Sequence, residues 1–168
     1  MEIKDSGERR EFSSGAVRDI ADGKGRCDLL PLDVIAKLFQ EEPDIGAILM
    51  LINNYIHTGK TVFLELAILR FCKHLDVDVP TTILEVSKHF ADGARKYAAR
   101  NWEKGIPLHC YIDSGVRHVL KFVRGDNDER HDRAFVWNLL CAIWTQKHLP
   151  EMIDLPFAQE DNKNAKTN

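Results

Sequence analysis

Apolar residues that recur every three or four positions constrain this chain more than any other feature. Ile83, Val86, Phe90, Ala94 and Tyr97 fall on one helical stripe, expected to face a core. Val136, Leu139, Leu140 and Ile143 fall on a second. No stretch sustains the period-two alternation of a half-buried strand, so the expected class is all-α: a bundle of helices behind an irregular N-terminal arm.

The punctuation divides that bundle. Pro31 suits the first turn of a helix over 31–41, which Pro43 is expected to end. Helices over 44–57 and 61–75 flank a break at Thr58 and Gly59. After a linker from Asp76 to Pro80, Thr81 or Thr82 is expected to cap a long helix to about Arg100, with Glu85 as the acidic member of a capping box. Helices over 108–124 and 128–147 follow, the first stopped by Gly125–Asp128 and the second near Pro150. We read one domain over 1–158, with an arm over 1–30 and a polar tail over 159–168 expected to be disordered.

With 168 residues, 44% apolar and 29% charged, the chain has the composition of a soluble domain with a real core. A formal net charge of -3 supplies no global pull toward nucleic acid or anionic lipid, so anion binding must come from local basic clusters. Ile45 to Ile56 is too short to span a membrane and is broken by Asn53 and Asn54. Cys27, Cys72, Cys110 and Cys141 form no Cys-x-x-Cys motif, and Cys72 and Cys141 read as small buried thiols. These features, with no apolar signal core in MEIKDSGERREF, give a cytoplasmic expectation.

Chemistry concentrates toward Gly93–Pro107. Lys96, Arg100, Asn101 and Trp102 crowd a helix end, one to two turns after Glu85, His89 and Asp92. Glu85, His89, Asp92 and Lys96 follow i, i+4, i+7, i+11 spacing, a stripe that either lines a groove or is a solvated face of charge pairs. On the last helix, Glu129-x-x-Asp132 leads into the apolar stripe. A carboxylate turned toward a core is costly unless paired or metal-bound, although acids also favour a helix start for its dipole. Carboxylates from two helices could hold Mg²⁺, which keeps several waters and is completed by phosphates. No Walker loop is present.

Lys24 and Arg26, among glycines, suit a phosphate or a charged surface turn. Arg117 is a phosphate contact or the i,i+4 partner of Asp113, and His118 a phosphate contact or an ordinary half-buried histidine. Asn101 and Trp102 suit a base or sugar. Trp137 and Trp144 read as packing. The His131-Asp132 dipeptide suggests a His-Asp phosphohydrolase only weakly without further histidines.

The pieces FSSGAVRD (12–19), GKGRCDLLP (23–31), GARKYAARNWEKGIP (93–107), YIDSGVRH (111–118) and HDRAFVWN (131–138) resemble, in order, the phage-associated dATP/dGTP diphosphohydrolase N-terminal domain family. That resemblance implies a bundle of the MazG-like type. It implies an enzyme that hydrolyses dGTP or dATP to the monophosphate and pyrophosphate with Mg²⁺ or Mn²⁺. It implies a homo-oligomer and a place in the cytoplasm, that of the infected host if phage-encoded. Glu129-x-x-Asp132 matches the Glu-x-x-Asp helix of the MazG-like pattern. The Glu-Glu-x-x-Glu helix is imperfect, with Lys88 and His89 where an acid is expected.

On this reading Glu85, Asp92, Glu129 and Asp132 are metal ligands with His89 in reserve, and Glu85 or Asp132 also orients the attacking water. Lys24, Arg26, Lys96, Arg117 and His118 meet phosphates, and Asn101 and Trp102 meet the base or sugar. Residues 41–79 read as a helical insertion or dimerisation element. The alternatives are a His-Asp triphosphohydrolase, and a silent helical module that binds nucleotide or protein.

Overall fold

Pro43 opens a long helix instead of closing the one before it. A proline at the first helical position loses no needed donor and arrives with its φ preset, so α2 runs Pro43–Thr58. The expected helix over 31–41 shrinks to α1, Leu32–Ile35, and a 3₁₀ turn, Ala36–Leu38. The computed structural model describes residues 7–158; the tail expected at 159–168 lies outside the described residues. Gly59 adopts φ 66° and ends α2, its N–H reaching Tyr55 O. α3 spans Val62–His74 and α4 Val79–Tyr97. The cap of α4 is Asp78, which accepts from Thr81 N–H at 2.8 Å, rather than Thr81 or Thr82. Val79 and Pro80, expected in a linker, form its first turn. α5 spans Leu108–Arg124 and α6 His131–His148.

The arm is not wholly irregular. β1 (Arg9–Glu11) and β2 (Val17–Asp19) pair antiparallel, Arg9 opposite Asp19 and Glu11 opposite Val17. Three-residue strands are too short for a periodic signal, and among the described residues β structure is confined to this hairpin. The fold is all-α apart from it.

The core is one cluster. Ile48, Leu49, Ile52 and Tyr55 of α2, Leu64 and Phe71 of α3, Ile112, Val116 and Val119 of α5, and Phe135 and Leu139 of α6 are all fully or nearly fully buried. α2 and α3 are therefore built into the same core as the C-terminal helices. α5 and α6 form a helical hairpin that packs tightly at Gly115, where a Cβ would stand 2.9 Å from a Leu139 methyl. α4 lies at the rim, with only Thr82 and Val86 buried; Ile83, expected in the core stripe, is 42% exposed. No helix is long and apolar enough to cross a membrane.

A clip joins the start of α5 to the C-terminal segment. Asp154 accepts from the His109 backbone N–H at 3.0 Å and from its ring Nδ1. The Asp154 bond, helped by Cys110, raises the His109 pKa to about 10. Burial alone would raise the Asp154 carboxyl, but His109 holds it below its ordinary value. The imidazolium's contribution is full below about pH 6.5, where the unfolded ring is also charged, and fades as pH rises through about 10. The carboxylate's contribution is present above about pH 4 and fades as pH falls further. Asp154→Asn should therefore lower Tm most between about pH 4 and 6.5, with the difference from wild type shrinking steadily toward pH 10 in thermal melts.

Candidate functional site

Four segments enclose one cleft of about 1060 Å³: the arm, the C-terminal half of α4 with its following loop, the inner face of α5, and the start of α6. Arg18 of β2 pins the arm to the helical hairpin. Its guanidinium donates to Cys110 O at 3.1 Å, Ser114 Oγ at 3.0 Å and Asn138 Oδ1 at 3.1 Å, and lies over the Tyr111 ring. Asn101 does the same from the other side: its amide accepts from Val17 N–H at 2.9 Å and donates to Val17 O at 2.8 Å. Asn101 lines the cleft, but its side chain is used in holding the arm. Two non-glycine residues at the rim, Ala98 (φ 118°) and Arg100 (φ 58°), hold positive φ. Such strain costs on the order of 1–3 kcal/mol and clusters at ligand sites.

The walls are basic. Arg10, Arg18, Lys24, Arg117, Lys121 and Arg124 all line the cleft. Lys24 sits between Gly23 (φ 73°) and Gly25 (φ 75°), a turn that side chains rarely tolerate and that aims the lysine inward. Burial lowers the Lys24 pKa, partly offset by Asp19. Arg117 ion-pairs with Asp113, yet its Nε is buried without a hydrogen-bond partner. Other expected contacts are engaged elsewhere. Arg26 forks onto Asp28 at 2.7 and 2.6 Å and is not a lining residue. Lys96 meets Asp19 at 2.7 Å, a buried pair joined by Tyr97 Oη at 2.7 Å. Burial would raise the Asp19 carboxyl, but Lys96 and Tyr97 hold it low.

Aromatic rings form the remaining wall. Trp137, expected only to pack, lines the cleft beside His89, with ring centroids 5.5 Å apart. Burial lowers the His89 pKa to about 4, so this ring is neutral at pH 7. Trp102 also lines the cleft, wedged edge-on between Phe90 (5.6 Å) and Trp144 (4.8 Å).

The expected carboxylates separate into two sets. Glu85 of α4 and Asp132 of α6 do come near each other, since Arg130 reaches both, at 3.9 Å and in a bidentate contact. Arg133 and Lys88 also hold Glu85, and Asp92 pairs with Arg95. Guanidinium and ammonium groups thus sit against these three carboxylates, and none of the three lines the cleft. The inward turn expected of Asp132 is satisfied by Arg130.

Glu129 is different. Among the described residues the nitrogen groups near its carboxylate are imidazoles, His118 Nδ1 at 3.5 Å and His131 Nδ1 at 3.6 Å. The two Nδ1 atoms are 3.0 Å apart. One ligand atom from each of His118, Glu129 and His131 lies within 4.8 Å of the others, and the same holds for Asp126, Asp128 and His131. Either group could hold a metal ion, though Arg124 and Lys121 already pair with Asp126 and Asp128. His118 is pushed by burial, and by His131 and His89, well below its ordinary pKa, so it offers a lone pair at neutral pH. His118 and Glu129 line the cleft.

From sequence, His118 is expected as a phosphate contact and His131 stands out only beside Asp132; Asp128, Arg10, Arg18, Lys121 and Arg124 carry no local signal that marks them for the cleft. The available signal was topological: Gly125 ends α5 with φ 83°, so the last turns of α5 must lie beside the first turn of α6.

A comparison with protein families matches residues 66–154 to the family described as dATP/dGTP diphosphohydrolase, N-terminal. The match spans more than half of the chain, from α3 through α6, and the chain belongs to this family. The pieces at 93–107, 111–118 and 131–138 fall inside it; those at 12–19 and 23–31 precede it. No curated protein and no solved structure matches.

Proposed function

We propose that the chain hydrolyses a purine deoxynucleoside triphosphate, dGTP or dATP, to the monophosphate and pyrophosphate, with a divalent cation that the resemblance gives as Mg²⁺ or Mn²⁺. The observation that carries this reading is the convergence on one cleft of basic side chains, aromatic walls and the His118–Glu129 pair. A triphosphate needs the first, a purine the second and a cation the third. Water attacks the α-phosphorus, the Pα–O–Pβ bridge breaks, and the leaving pyrophosphate takes the electron pair. A bound cation would polarise the phosphoryl oxygens and ease ionisation of the water. Lys24 and Arg117 hold the phosphates, and Trp137 with Trp102 offers faces or edges to the base. Glu129 is better placed than Glu85, Asp92 or Asp132 to orient water, because no arginine occupies it.

The family's description supports the substrate and bond cleaved. Four free cysteines fit a reducing cytoplasm. The exposed apolar stripe Val62, Leu66 and Leu69 on α3 supports the homo-oligomer that the resemblance implies. The His-Asp triphosphohydrolase reading gains the second histidine it lacked, His118, but its aspartate is turned to Arg130.

Incubation with each dNTP and Mn²⁺, followed by chromatography of the products, tests the proposal. Deoxynucleoside monophosphate with pyrophosphate is expected. Tripolyphosphate with nucleoside would replace it by the His-Asp chemistry, and intact nucleotide would make the chain a silent binding module.

A further inference from the structure

We propose that His118, Glu129 and His131 form a binding site for one first-row transition-metal ion, from Mn²⁺ to Zn²⁺, in preference to Mg²⁺, with Asp128 as the residue that positions His131. The inference rests on the reading of the cleft as a metal-assisted nucleotide site.

His131 Nε2 lies 2.8 Å from Asp128 Oδ1. A carboxylate oxygen accepts, so the geometry assigns the tautomer with the proton on Nε2 and the lone pair on Nδ1. That lone pair faces His118 Nδ1 at 3.0 Å and Glu129 Oε1 at 3.6 Å. His131 is 2% exposed, so water does not freely satisfy it. Three electron-rich atoms directed at one another are stable only around a shared proton or a cation. Nitrogen atoms that flank a single ion at about 2 Å each stand roughly 3 Å apart, as these do.

Donor chemistry sets the class of ion. Mg²⁺ prefers all-oxygen surroundings and keeps several waters. Two imidazoles and one carboxylate suit a first-row transition ion and leave positions open toward the cleft for water or phosphate oxygen. The Asp128–His131 contact is the outer carboxylate that fixes a ligand imidazole's tautomer and orientation. Lys121, 3.1 Å from Asp128, helps hold that carboxylate in place.

Titration of the nucleotide-free chain with Co²⁺, read by visible d–d absorption, is the test. One equivalent should bind, with bands that millimolar Mg²⁺ does not remove. His118→Ala and Glu129→Gln should each abolish the bands with far-ultraviolet circular dichroism unchanged. Asp128→Asn should weaken binding by about 10- to 100-fold, and Asp128→Glu should restore part of it. If His118→Ala does not fold, the half-buried Glu129→Gln decides. Wild-type binding in Glu129→Gln, displacement by equimolar Mg²⁺, or loss of binding in Asp132→Asn alone would overturn the site. Absent Co²⁺ binding with continued Mg²⁺-supported hydrolysis would end this inference and leave the hydrolase reading standing. Co²⁺ binding without hydrolysis of any dNTP would do the reverse.

Discussion

Phe71→Ala is expected to lower stability by about 3–5 kcal/mol, the range for removing a fully buried aromatic ring. The ring has no exposure and stands edge-on to Phe135 at 4.7 Å and Phe122 at 5.3 Å, so α3, α5 and α6 meet on it. Neither ring can collapse far into the space, because each is anchored on a separate helix. The denaturant midpoint should fall with an unchanged slope, and all spectroscopic probes should move together. This result bears on residues 41–79. If α2 and α3 were an appended element, the variant would show a second transition in which α5 and α6 survive. A loss below about 1 kcal/mol would mean that Phe71 does not sit at this junction.

Lys24→Met should reduce kcat/KM for dGTP or dATP by about 10- to 150-fold while leaving the fold intact. The estimate takes a charge-assisted hydrogen bond to phosphate as worth about 1.5–3 kcal/mol. Lys24 lies on the arm, in a turn that Gly23 and Gly25 hold open, so its loss removes a donor without opening the core. Steady-state kinetics with each nucleotide measures the effect, and circular dichroism checks the fold. Unchanged kinetics would mean that the phosphates do not reach the arm's side of the cleft.

Much of the architecture was legible because it depends on local rules. The period of α5 and α6, the glycine stop at Gly59 and the Gly125 break all act within a few residues. Misreadings came where two rules compete. Pro43 ends a helix or starts one, and only the collapse of α1 to one turn and a 3₁₀ segment decides between them. Asp78 rather than Thr82 caps α4 because Pro80 fits the first turn and Thr81 N–H is then the donor that needs an acceptor.

The candidate site was harder to read. Wheel geometry brings Glu85 and Asp132 toward each other, and the structure does place them on one shared arginine. Periodicity cannot report that Arg130 and Arg133, one residue either side of positions 131 and 132, fold back to neutralise them. The His118–His131 contact joins residues thirteen apart through a turn. The cleft's basic wall draws on an arm whose strands are held by Arg18 and Asn101, long-range bonds that no local pattern encodes.

The most direct test of the account is a crystal structure of the chain with Mn²⁺ and a non-hydrolysable dGTP analogue. The account predicts the triphosphate within about 3 Å of Lys24 and Arg117, the purine against the Trp137 side of the cleft, and the ion on His118, Glu129 and His131. An ion held by Glu85 and Asp132 with Arg130 displaced, or a nucleotide bound outside the cleft, would contradict it.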